Sequence, residues 1–350
     1  MALKVGLTYN LKRQSGVDEG LPEDFYAECD NEETVDAIAG ALRNGGCIVT
    51  KIEADEEAYN KLRRLKPDIV FNIAEGIYGE SRESHIPAML EMLQIPYTGS
   101  GPLTLAISLN KALTHQILGI NGIPSPFFQV FSRADDRINA KLRFPCVVKP
   151  LSEGSSKGVR NESLVRDEQG LRRQVSRVIK TYNQPAIVEE FLPGKEFTVG
   201  LIGNGEPTVL PIVEFLFDKL PDGANPIYSY EAKWIWDVPK KPLKISRCPA
   251  EIPQNLKEEI RQTAIKTFQV LNCQDVCRID MRLDEDNHPR ILEVNPLPGL
   301  IPDPDAHSCL PEAARAAGFA YDQLICTILW QALERYNLQH LFEKRSLVKL

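Results

Sequence analysis

The sequence predicts an α/β protein that becomes α+β in its later part, arranged as three units at residues 1–97, 98–195 and 196–350. Three features of the 350-residue chain predict it. Strand and helix patterns alternate through the first hundred residues, short strands cluster beyond Pro126, and two strands flank the turn DEDNH. Roughly 150 residues per domain gives the same two or three units.

The alternating run at 4–9 reads as the first strand. Asp30 with Glu33 marks a helix start, acidic at its positive end, and Gly45 and Gly46 mark its stop near residue 44. A strand at 47–52, a charged amphipathic helix to about residue 66 and an almost continuous apolar run at 68–73 complete a βαβ pattern, and the last strand should be buried on both faces. From Pro96 to Pro126 the pattern predicts a turn, one long helix from about Leu103 and an extended exit. Short strands follow at 146–149, 186–190, 197–202 and 209–215, with a helix at 167–180 between the first two. The Pro- and aromatic-rich stretch at 218–253 reads as a functional loop. A long helix from 255, strands at 276–283 and 289–294, helices at 311–317 and 321–336, and a short basic-apolar tail end the chain.

Charge and composition exclude several classes. Acidic residues (48) outnumber Lys plus Arg (41), for a net charge of −7, the opposite of a nucleic-acid-binding footprint. No stretch approaches the roughly 18 consecutive apolar residues of a membrane span. The start, with Lys4 inside a strand-like run, lacks a signal-peptide core, so a cytoplasmic location is expected. The eight cysteines read as reduced, mostly buried thiols, and the close pair Cys273 and Cys277 lacks zinc-ligand spacing around it.

Three clusters carry chemistry. Arg278 and Asp280 share one face of a strand, and Glu293 and Asn295 share one face of the next, because strand side chains alternate with period two. Their oxygens suit magnesium and the guanidinium suits a bridging phosphate, although cross-strand surface ion pairs would use the same residues. The string VVKPLSEGSSKGV places Lys149 at a strand end before a small-residue loop of Ser155 and Ser156, whose N–H groups could wrap phosphate oxygens. It lacks the P-loop spacing, and a plain Gly-Ser turn reads equally well. Glu189, Phe191, Leu192 and Glu196 form a carboxylate and apolar pair able to seat a purine, or a solvated strand end.

In that order along the chain, the clusters resemble the ATP-grasp superfamily and, within it, the D-alanine-D-alanine ligases. VFNIAEGIYGE, IPYTGSGPLTLAISLNK, VVKPLSEGSSKG, EEFLPGKEFTVG, YEAKW, RIDMRL and LEVNPLPGL carry the resemblance over nearly the whole chain. It implies an ATP-grasp fold with an N-terminal parallel-sheet domain, a nucleotide lid and a C-terminal catalytic domain. It further implies ATP, two Mg2+ ions with Mn2+ as an alternative, amino-acid substrates and a homodimer. Lys111 and Lys149 would contact phosphates under a lid of Ser155 and Ser156. Glu189, Phe191, Leu192 and Glu196 would hold the nucleoside, and Asp280, Glu293 and Asn295 would ligate the metals. Lys233 would stand near the γ-phosphate, Arg278 would stabilise the acyl phosphate, and Gly299 would help form an oxyanion site.

Departures fall on the substrate side. Glu75 replaces a histidine of the family motif, and Trp234 replaces a tyrosine whose hydroxyl links lid and first domain, so that bridge is expected to be lost. Ser308 and Cys309 match the family's Ser-Leu pair after a lengthened turn at 300–306 that adds Asp303 and Asp305, acids expected to stand beside the second substrate. The glutamate for the first substrate's amine is one of Glu28, Asp30 or Glu33. These changes predict poor use of D-alanine as both substrates and better use of a bulkier or cationic partner. The implied activity is ADP-forming ligation of two amino acids, in first place that of a D-alanine-D-alanine ligase of peptidoglycan synthesis or a close relative, with an amino-acid ligase of different specificity as the alternative and a non-catalytic nucleotide-binding relative as the other class.

Overall fold

β1 (Lys4–Tyr9), α1 (Glu32–Asn44), β2 (Ile48–Glu53), α2 (Ala58–Leu65) and β3 (Ile69–Asn72) form a parallel sheet in the order β2-β1-β3. The structure, a computed structural model, describes residues 2–13, 20–238, 242–306 and 308–342. All of β3 is buried, as its apolar run requires. The α1 cap falls one residue later than the Asp30 start read from sequence: Asn31 Oδ1 accepts the Thr34 N–H at 2.8 Å. The Asp30 side chain is thereby left out of the cap.

After α3 (His85–Leu93), the single long helix expected from Leu103 is two, α4 (Pro102–Leu109) and α5 (Lys111–Ile120). Asn110 breaks it by taking an extended conformation and capping the Leu113 N–H at 3.1 Å. Lys111 thus becomes the first residue of a new helix.

A second, antiparallel sheet follows in the order β4-β7-β5-β6, from β4 (Phe128–Phe131), β5 (Cys146–Pro150), β6 (Leu164–Val165) and β7 (Ala186–Glu190). α6 (Glu168–Tyr182), capped by Asp167 on the Gly170 N–H at 2.7 Å, packs Leu171, Val175 and Val178 on it.

The third sheet runs β11-β10-β8-β12-β13, with β9 beside β8. Its strands are β8 (Glu196–Gly203), β9 (Thr208–Val209), β10 (Val213–Phe215), β11 (Ser246–Arg247), β12 (Asp275–Leu283) and β13 (Pro289–Asn295). α7 (Gln254–Val270) precedes the β12–β13 hairpin, and α8 (Cys309–Ala316) and α9 (Tyr321–Arg335) follow it. The stretch read as one loop, 218–253, contains β11 and a helical turn at Ala232–Trp236, with residues 239–241 outside the described residues. The C-terminal tail at 343–350 also lies outside them.

Cuts at residues 97 and 195 separate the three sheets, but packing crosses both. Leu118 of α5 joins Phe268 and Ile279 in the core of the third sheet. α9, buried continuously from Leu324 to Leu333, packs with α1 in one core shared by the first sheet and Ile202 and Val276 of the third. Among the described residues no helix is long and apolar enough to cross a membrane.

Candidate active site

One cavity lies where the three sheets meet, at the carboxyl end of the parallel strands. Most residues singled out from the sequence line it: Glu28, Asp30 and Glu75 from the first sheet's loops, Lys149, Ser155, Ser156, Glu189, Phe191 and Leu192 from the second sheet, and Lys111, Glu196, Lys233, Trp234, Arg278, Asp280, Glu293, Asn295, Gly299, Ser308 and Cys309 around the third; Glu33, Asp303 and Asp305 do not.

At the hairpin, Arg278 faces Asn295 and Asp280 faces Glu293, and a register shift follows Asp280. Arg278 Nε and Nη2 donate to the Asp280 carboxylate at 3.0 and 2.9 Å, and Asn295 Nδ2 donates to Asp280 at 3.1 Å. Lys111 Nζ lies 2.8 Å from Glu293. Lys149 Nζ meets Glu189 at 2.6 Å and His115 Nε2 meets the other Glu189 oxygen at 3.0 Å. Burial favours protonation of Glu189, but Lys149 and His115 outweigh it and hold the carboxyl at about 2. Arg282 pairs with Glu196 at 3.0 Å and lies 4.5 Å over the Phe191 ring. Burial, then Arg278, pull the Lys233 amine below the ordinary lysine value.

The loop after β5 is strained and strapped down. Ser155 and Ser156 both hold positive φ, 49° and 60°, which non-glycine residues adopt only when surroundings enforce it. Gly154 N–H donates to Glu28 at 2.6 Å, Lys157 pairs with Glu153 at 2.6 Å and with Glu28 at 3.3 Å, and Arg82 reaches Glu28 at 2.8 Å and Glu153 at 3.0 Å. Ser156 Oγ donates to the Tyr228 carbonyl at 2.8 Å. The bridge expected to be lost at Trp234 is remade by other atoms. The indole N–H donates to the Ser155 carbonyl at 3.2 Å, and Lys12 of the first unit sits 5.1 Å over the same indole ring.

Among the candidates for the substrate amine, Glu33 is exposed on α1, away from the cavity. Glu28 is buried and already satisfied: burial works to raise its carboxyl, but Arg82, Lys157 and the Gly154 N–H together depress it. Asp30, Glu75 and Glu83 differ. All three line the cavity, and none has a side-chain hydrogen bond or ion pair among the described residues. Burial raises Asp30 to about 7, and burial with neighbouring carboxylates raises Glu75 and Glu83. Gly76, at φ 73°, permits this crowding, since a Cβ there would stand 2.5 Å from the Arg82 carbonyl oxygen.

On the opposite wall the turn after Gly299 is pinned by Ser308, whose Oγ donates to the Gly299 carbonyl at 2.9 Å and accepts the Ile301 N–H at 3.3 Å. Asp303 and Asp305 are not among the residues that line the cavity. They are exposed, and Asp303 accepts the Asp305 N–H in a tight surface turn.

Sequence reasoning missed Arg82, Glu83, His115 and Arg282. Arg82 and Glu28 are 54 positions apart, beyond any local periodicity. Glu83 and His115 sit where composition alone carries no signal, and only the alternation along β12 placed Arg282 on the face of Arg278 and Asp280.

The donor set fits magnesium: carboxylates of Asp280 and Glu293 with the amide oxygen of Asn295 are hard oxygens, and in their present state protein cations balance the acids. Lys111, Lys149 and Arg278 beside the apolar Phe191 and Leu192 fit a nucleoside triphosphate.

The family model described as D-ala D-ala ligase C-terminus matches residues 117–330. The D-alanine-D-alanine ligase of Pelotomaculum thermopropionicum is 31% identical, over 88% of this chain and 93% of its own length. An uncharacterized protein, y4sG, of Sinorhizobium fredii is 38% identical, over 86% of this chain and 88% of its own length. Among solved structures, the D-alanine-D-alanine ligase of Bacillus anthracis complexed with ATP superposes with a TM-score of 0.71 at 23% identity, covering 96% of this chain and 99% of that one. The VanG D-Ala:D-Ser ligase of Enterococcus faecalis does so at 0.71 and 20% identity, covering 95% and 100%. With its family-model match, its relatives above 30% identity and its matching fold, this chain belongs to the D-alanine-D-alanine ligase family of ATP-grasp proteins.

Proposed function

We propose that the chain is an ADP-forming ligase joining two amino acids through an acyl phosphate. The observation that carries the reading is the convergence of Lys111, Lys149, Arg278, Asp280, Glu293 and Asn295 on one cavity wall. A carboxylate oxygen of the first amino acid attacks the γ-phosphorus of ATP, and the bond to the β-phosphate oxygen breaks to release ADP. The second amino acid's nitrogen then attacks the acyl carbon, inorganic phosphate leaves and the amine loses a proton.

Phosphoryl transfer of this kind needs positioning and charge neutralisation more than covalent help. Lys111 and Lys149 serve by exchanging their present carboxylate partners for phosphate oxygens. Arg278 neutralises charge on the transferred group, Gly299 lines the site of the carbonyl oxygen, and Lys233 stands near the γ-phosphate and Ser155. Asp280, Glu293 and Asn295 would hold magnesium, which when bound neutralises phosphate charge and aligns the oxygens. Phe191 and Leu192 flank the base and Glu196 faces the ribose. Glu189 contributes chiefly by orienting Lys149, since both its oxygens are occupied. Ser155, Ser156 and Trp234 close the cavity and keep water from the acyl phosphate. A homodimer in the cytoplasm accords with the family resemblance, and sedimentation tests the dimer.

Chromatography of nucleotides after incubation with ATP, Mg2+ and amino-acid pairs tests the reading. ADP and phosphate that appear only with an added amino acid support it. AMP and pyrophosphate, or release indifferent to amino acids, refute it.

A further inference from the structure

Three acids on the wall formed by the first sheet's loops make no ion pair among the described residues; Arg82 acts on Glu75 and Glu83, and Lys111 on Glu83, only from beyond contact. Most of the cavity's cations are engaged with other acids: Lys111 with Glu293, Lys149 with Glu189, Arg278 with Asp280, Arg282 with Glu196, and Lys157 with Glu28 and Glu153, while Lys233 reaches the Ser155 hydroxyl. Arg82, next in sequence to Glu83, spends its guanidinium on Glu28, Glu153 and the Ser152 carbonyl. Glu83 is only 8% exposed, yet its carboxylate makes no hydrogen bond or ion pair among the described residues, and burial outweighs the distant pull of Arg82 and Lys111. A separate observation concerns Ser108 of α4, the helix that packs on the turn carrying Glu83. Ser108 is 4% exposed, lines the same cavity, and its Oγ has no hydrogen-bond partner among the described residues. A buried hydroxyl facing a cavity is normally completed by a partner that enters it, water or ligand.

An amino acid is a zwitterion, and in the reading above its carboxylate goes to the phosphate side. Its α-ammonium offsets one acid. Glu28, one of the three candidates for that ammonium, is saturated by two cations and a backbone N–H. We propose that Asp30, Glu75 and Glu83, and not Glu28, receive the first substrate's amino end, and that this subsite selects a diamino acid, whose second ammonium meets the acids that an ordinary α-amino acid leaves unpaired. The proposal rests on the ligase reading and specifies its substrate class. The raised carboxyls of all three acids accord with it, because a bound cation returns each to its charged form. Ser108 supplies a hydroxyl that can accept from the same ammonium.

The test supplies the full-length protein with ATP, Mg2+ and, as first substrate, diaminopropionate, ornithine or lysine in D and L forms. Norvaline and norleucine are the neutral comparators for ornithine and lysine, and alanine for diaminopropionate. A diamino acid should exceed its comparator at least ~10-fold in kcat/KM, because a desolvated charge lacking its partner is strongly rejected. Glu75→Gln and Glu83→Gln should each raise KM for the diamino acid ~10-fold or more, leaving KM for ATP within about 2-fold. Circular dichroism and retained turnover of the neutral comparator show that a variant is folded, and Glu75→Gln, at a half-buried site, decides if Glu83→Gln does not fold. Equal or better use of the neutral comparator, or variants that do not change the preference, overturns the proposal. If no pair releases ADP, the ligase reading fails, and calorimetric binding of ornithine against norvaline decides the subsite. Tenfold tighter ornithine binding upholds the proposal and equal binding ends it.

Discussion

The two ends of the cavity balance charge in opposite ways. At the nucleotide end each acid has a base in contact: Asp280 with Arg278, Glu293 with Lys111, Glu189 with Lys149, Glu196 with Arg282. At the other end Glu28 and Glu153 take up Arg82 and Lys157, and Asp30, Glu75 and Glu83 are left without a base in contact. On the reading proposed above, the first arrangement exchanges partners when a triphosphate enters, and the second, which holds Glu75 among the departures from the family motif, is completed by an arriving cation. Phosphate chemistry would then be the same whichever amino acids are joined, and the unpaired end would set what can be joined.

Four substitutions break or sharpen this contrast, in order of falling effect. Glu293→Gln removes a paired acid and a metal ligand while preserving volume, and should lower turnover by ~10³-fold or more. ADP release read beside an unchanged circular dichroism spectrum checks it. Near-normal turnover would remove Glu293 from the chemistry. Arg82→Ala leaves Glu28 and Glu153 buried with only Lys157 between them, in place of two shared cations, with Glu28 and Arg82 each 5% exposed. The cost should be about 3–5 kcal/mol, typical of a broken buried pair, measured by urea denaturation. A loss below about 1 kcal/mol would show that Lys157 alone holds the loop.

Asp30→Asn tests the unpaired end through pH. The Asp30 carboxyl is raised from 3.8 to about 7 in the folded chain, so the folded state holds a proton that the unfolded chain releases. Its contribution to stability is therefore full below about pH 4 and is lost as pH rises to about 7, at up to about 1.4 kcal/mol per unit. In the ligand-free protein Asp30→Asn should flatten the fall in stability over that window. An unchanged slope would show that Asp30 is solvated. Trp234→Phe offers Lys12 a smaller aromatic ring and removes the five-membered part of the indole with its N–H to Ser155, a hydrogen bond worth about 1 kcal/mol. Thermal stability should barely move, while hydrolysis of ATP without peptide formation rises as the loop loosens.

Much of this site was legible because its chemistry is local. Period-two alternation placed Arg278, Asp280, Glu293 and Asn295 together, and the hairpin register bears out the geometry. Long-range pairing was not legible. Nothing near Glu28 announces Arg82, and nothing about Trp234 reveals that its indole N–H holds Ser155 where the bridge was expected to be lost. Acids were weighed by proximity in sequence, which favoured Asp303 and Asp305 on a surface turn over Glu83 in the cavity wall. The break at Asn110 was missed because apolar periodicity continues across it while a side-chain cap ends one helix and starts the next. The cores shared across units follow from tertiary packing of α9 on α1, which no window of sequence contains.

That sharing also fixes an order of assembly. The core of the second sheet draws only on residues between Phe127 and Val188, whereas the core beneath the first sheet is incomplete without α9, near the other end of the chain. On a ribosome the middle of this protein can finish folding while both of its neighbours wait. The first strands to emerge are among the last to be covered, and until α9 emerges their apolar face is open to whatever else the cell offers it.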